Sequence, residues 1–68
     1  MLTEEQNDHL ELLLGGLDGV KNKLTPNARD FVNQQQERHS EYGANVRLSH
    51  KQTAWLERLY KEHVGPLD

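Results

Sequence analysis

The sequence has no cysteine, two prolines, four aromatic residues and no apolar run longer than three residues, as at Leu12–Leu14. Each shortage excludes something. Without cysteine there is no disulfide framework and no thiolate metal site, which fits a reducing compartment and predicts a cytoplasmic location. Three apolar residues in a row fall far short of the roughly 20 that span a bilayer, so no transmembrane helix and no membrane partner are expected. No basic start followed by an apolar stretch and a small-residue cleavage site occurs, so no secretory leader is predicted. At 68 residues and 34% apolar composition, the chain can form one domain at most, over 1–68, with a small core. Cores at this limit gain stability by self-association or by docking on a partner, and a homodimer is one expectation.

What is present is helical. Thr3-Glu4-Glu5-Gln6 reads as a capping box, and its acids suit the positive end of a helix. At roughly 100° per residue, Leu10, Leu13, Leu14, Leu17, Val20 and Leu24 then share one broad arc. Gly15, Gly16 and Gly19 lie off that arc, and each costs up to about 1 kcal/mol against Ala inside a helix. The spacing therefore predicts a helix over about 3–14 with a weaker extension to 23. Thr25-Pro26 caps and starts a second helix over 26–42. Ala28, Phe31, Val32, Gln35, His39 and Tyr42 share its inward face, and Gly43 is a natural left-handed stop. Gly43 to Leu48 is a linker, in which Val46-Arg47-Leu48 is too isolated to make a sheet. A second capping box, Ser49-His50-Lys51-Gln52, opens a third helix over 50–63 that carries Trp55, Leu56, Leu59, Tyr60 and His63 on one side. The expected fold is all-α, a small three-helix bundle.

Catalytic chemistry finds little footing. Of His9, His39, His50 and His63, no two stand four apart on a helix as a zinc pair requires. His39 and His63 can meet across the second and third helices, or one can pack with a satisfied proton while the other caps a solvated helix end. Gly15-Gly16-Leu17-Asp18-Gly19 has no preceding strand and no following Lys-Ser/Thr, so it is no phosphate loop. No nucleophile elbow is present, and a bundle this small has little room to enclose a substrate. The sequence predicts a non-enzymatic protein with no cofactor and no metal.

Charge is more informative. Eight Lys and Arg stand against eleven Asp and Glu, a net charge of −3, which opposes binding to a polyanion. The acids gather early: Glu4, Glu5, Asp8 and Glu11 cover one end of the first helix. Helix-dipole compensation accounts for Glu4 and Glu5, less so for Asp8 and Glu11. Leu12 lies off the main arc and is the best candidate for an exposed apolar anchor. Asp8, Glu11 and Leu12 are therefore the candidate partner-binding residues. From Arg47 to Lys61 the balance reverses, with four bases and one acid. Arg47, Lys51, Arg58 and Lys61, with Trp55 emerging beside them, form the alternative: a phosphate-contacting face with a stacking ring. Gln35 and His39, polar on an inward face, either bond the Trp55 indole or Tyr60 hydroxyl or mark a face that receives a partner.

Leu24-Thr25-Pro26 through Phe31-Val32, then Gln35, Gly43 and Leu48-Ser49-His50-Lys51-Gln52 to Trp55-Leu56-Glu57-Arg58-Leu59-Tyr60, resembles a known element. It is the short helix–loop–helix of bacteriophage and plasmid-borne proteins, in which a Phe-Val helix precedes a Leu-Ser-x-Lys-Gln-x-x-Trp-Leu helix start. That element stands alone in some proteins and is joined to DNA-metabolism domains in others. The resemblance covers about half the chain, and the spacer from Gly43 to Leu48 is longer here than is usual for it. It implies a small phage-type regulator or inhibitor, working in the host cytoplasm on a host or phage complex such as RNA polymerase or the replication machinery.

Overall fold

Every helix starts where a side chain can take up its unpaired amides. Thr3 Oγ1 accepts from the Gln6 amide at 3.1 Å while Gln6 Oε1 accepts from the Thr3 amide at 3.0 Å. Ser49 and Gln52 repeat the arrangement at 3.1 and 2.9 Å. Thr25 Oγ1 accepts from the Ala28 amide at 3.3 Å, with Pro26 in the first turn. Caps of this kind contribute about 1 kcal/mol each relative to alanine. The computed structural model describes residues 2–66, and they form α1 (Glu4–Asp18), α2 (Pro26–Tyr42) and α3 (His50–His63). Short 3-10 turns cover Lys21–Lys23 and Gly43–Asn45, and no strand occurs among the described residues. Residues 1, 67 and 68 of the expected 1–68 domain lie outside the described residues.

This is the all-α three-helix bundle, with α2 and α3 at the expected bounds. The first helix differs. It does not weaken after Leu14 but runs on through Gly15 and Gly16 to Asp18. The reason lies across the bundle, where the edge of the Tyr60 ring rests against Gly16; a Cβ added at Gly16 would sit 3.1 Å from Tyr60 Cδ2. Packing energy from that ring offsets the helix-propensity cost of glycine. The weaker extension to 23 is present as turns rather than as α-helix. A turn at Gly19–Val20 breaks the helix, and the following 3-10 turn delivers Leu24 to the core from outside it.

Leu10, Leu13, Leu14 and Leu17 of α1 are buried with Leu24, Ala28, Val32, Val46, Leu56 and Leu59. Leucines of this kind contribute about 1.5–3 kcal/mol each by leaving water. Helix α1 is the central rod: α2 and α3 both pack against it. The outer helices meet through rings, Phe31 of α2 stacking on Trp55 of α3 with centroids 4.2 Å apart and planes 21° apart. The linker contributes too, since Val46 is buried and the Leu2 amide donates to the Ala44 carbonyl at 2.7 Å. No helix among the described residues is long and apolar enough to cross a membrane.

Candidate docking surfaces

The leucine stripe that fixes α1 in the core also fixes what faces water. Leu12 lies roughly 200° around the helix from Leu10, on the side opposite the core. There it is 52% exposed, with Asp8 and Glu11, both exposed, preceding it along the helix. The structure thus brings Asp8, Glu11 and Leu12 onto one open face, as the spacing implies. Gly15 continues that face, and nothing stands within 4 Å of the position a Cβ would take there.

The basic residues do not stay together. Lys51, Arg58 and Lys61 project from α3, but Arg58 Nε donates to Glu62 Oε1 at 3.1 Å, which occupies that guanidinium. Arg58 and Lys61 border a shallow depression that they share with Ala54, Glu57 and Glu62. Trp55 is 39% exposed, with one ring face covered by Phe31. Arg47 lines a different groove, with Arg38, Glu41, Tyr42 and Asn45. Arg38 Nη2 donates to the Arg47 carbonyl at 3.3 Å and ties the end of α2 to the linker. Helical periodicity gives no hint of this pairing, because Arg47 lies outside any helix.

Of the two readings of His39 and His63, the structure gives the one without a mutual bond: His39 Nε2 lies 2.8 Å from Asn7 Oδ1 on α1, and His63 ends α3 with its Nε2 4.0 Å from Glu62. A second histidine link joins α1 to α3, His9 Nε2 to Glu57 Oε2 at 3.3 Å. Gln35 reaches neither Trp55 nor Tyr60. It is 3% exposed, so its face is covered rather than open, and its Oε1 has no hydrogen-bond partner. Tyr42, expected inward, is 53% exposed, because α2 stops there and the chain turns away at Gly43.

At the end of α1, Gln36 Nε2 donates to the Leu14 carbonyl at 3.3 Å and to Asp18 Oδ1 at 3.2 Å. Lys21 Nζ pairs with the same carboxylate at 3.1 Å. The Lys21 hydrogen bond, then that of Gln36, holds the Asp18 carboxyl below the ordinary aspartate value. This cluster ties the end of α1 to α2 and to the turn that follows α1. Among the described residues, no three His, Asp or Glu side chains are placed to share a metal ion. Comparison with protein-family models, curated proteins and solved structures finds no match.

Proposed function

We propose that this chain is a non-enzymatic regulator that docks on a larger macromolecular complex through the outer face of α1. The observation that carries the reading is Leu12, 52% exposed on the side of α1 opposite the core with Asp8 and Glu11 beside it. An apolar anchor flanked on one side by two acids suits a partner surface that pairs an apolar pocket with basic side chains. Proteins that handle nucleic acid carry basic surfaces of that kind, and the target class we propose is RNA polymerase or replication machinery of a host or phage. The likeness of Phe31-Val32 and Leu48 to Tyr60 to the phage-type helix–loop–helix supports the same assignment and, with it, a cytoplasmic setting.

Capture from a bacterial lysate at physiological salt tests the proposal. A stoichiometric partner should be recovered by the tagged protein and lost with Leu12→Asp or with Asp8→Lys and Glu11→Lys together, while helix content is unchanged. Recovery of no such partner, or equal recovery by these variants, defeats it. The alternative, nucleic-acid contact through α3, draws on the exposed Lys51 and Lys61 and the open edge of Trp55. A steep loss of binding with salt that follows Lys51→Ala and Lys61→Ala would favour that face instead.

A further inference from the structure

Arg38 and Arg47 come from different elements, α2 and the linker before α3, yet line one open groove of about 350 Å³ with Glu41, Tyr42 and Asn45. Arg38 is anchored by its bond to the Arg47 carbonyl, which uses one of its five N–H donors. Among the described residues, neither arginine has a carboxylate within 4.0 Å, Glu41 included, whereas Arg58 is tied to Glu62. Two guanidinium groups without a carboxylate partner on one groove match the oxygens of a phosphate. Tyr42 adds an aromatic ring that is 53% exposed, the kind of surface on which an unpaired base stacks. Asn45 adds an exposed amide with both donors and an acceptor for a base edge.

We infer that this groove binds a nucleotide unit, its phosphate between Arg38 and Arg47 and its base on Tyr42. An acidic peptide would satisfy the arginines but would leave the ring and the amide unused and bring several carboxylates toward Glu41; a nucleotide engages Arg38, Arg47, Tyr42 and Asn45 with a single anionic group. The site is independent of docking through Leu12, which lies on a different helix. The chain's net charge of −3 restricts the contact to a short segment, with a log–log salt slope of about −0.7 for the one phosphate of a single strand that the two arginines hold.

Fluorescence anisotropy of the full chain with a labelled oligodeoxythymidine at about 20 mM salt tests this. Binding should weaken about five-fold or more in Arg47→Ala, Arg38→Ala and Tyr42→Ala, and persist in Tyr42→Phe. Lys51→Ala and Lys61→Ala should leave it unchanged. Arg47 lies outside the helices, so Arg47→Ala keeps the test valid if Arg38→Ala loses helix content by circular dichroism. Competition by adenosine monophosphate with the same variant pattern supports the groove and assigns a free nucleotide as its source; competition by unlabelled single strand alone assigns a strand. Absence of binding, binding indifferent to Arg47→Ala, equal affinity for duplex, or displacement by an oligoglutamate peptide as effective as by single strand would overturn the inference.

Discussion

The ring edge of Tyr60 lies where a side chain on Gly16 would begin, so the central helix and α3 approach through a glycine seat. Gly15, its neighbour in sequence, faces open space. Two adjacent glycines in one helix therefore answer to opposite pressures.

Substitution separates them. Gly15→Ala should stabilise the fold by about 0.5–1 kcal/mol, the gain in helix propensity with nothing to strike. Gly16→Ala should destabilise it by about 1–3 kcal/mol, since the Tyr60 ring must move. Urea denaturation of both variants checks the pair, and adding Tyr60→Ala should abolish the penalty of Gly16→Ala.

Gln35 places an acceptor in the core with nothing to bond it. Gln35→Met keeps the length of the side chain and removes the orphaned polar atom, so it should raise stability by about 1 kcal/mol. A lowered urea midpoint would show instead that the amide is satisfied in solution, by a bound water for instance.

Gly43 has φ 58° and ψ −133°, not the left-handed helical cap expected of a glycine stop but a corner that residues with a Cβ avoid. Gly43→Ala should cost about 1–3 kcal/mol, although nothing stands within 4 Å of the new methyl group. Thermal unfolding followed by circular dichroism reads this out. A loss below a few tenths of a kcal/mol would mean that the linker relaxes to another path.

Asp18 supplies the pH dependence. Its carboxyl is held below the ordinary 3.8 by Lys21 first and Gln36 second. A depressed value in the folded state makes the contribution present above pH 3.8 and lost as pH falls through the folded value. The carboxylate is exposed, so the effect is small and weakened by salt. Titration by NMR should show the Asp18 midpoint below 3.8 and its return toward that value in Lys21→Ala. In acid, the native chain should lose stability relative to Asp18→Asn.

The bounds of α2 and α3 were legible because local chemistry sets them: Thr25 with Pro26, the Ser49–Gln52 box, and Gly43. So was the outward placement of Asp8, Glu11 and Leu12, which follows from the angle between them and the leucine stripe. Continuity of α1 was not, since propensity counts the cost of Gly16 but not the Tyr60 ring that another helix lays against it. Periodicity put Tyr42 on the inward face of α2 without knowing that the cover ends before the helix does. It was also silent on Arg38, whose meaning depends on an arginine outside any helix. Gln35 drew attention as an inward polar residue, but only the packed arrangement shows its acceptor without a partner.

The central position of α1 has a consequence for synthesis. The rod on which α2 and α3 pack is made before either of them, with Leu10, Leu13, Leu14 and Leu17 bare. Translation of α2 covers one flank, and the other stays wet until Leu56 and Leu59 are clear of the exit tunnel. Until α3 is complete, that flank of the leucine row lacks its native cover.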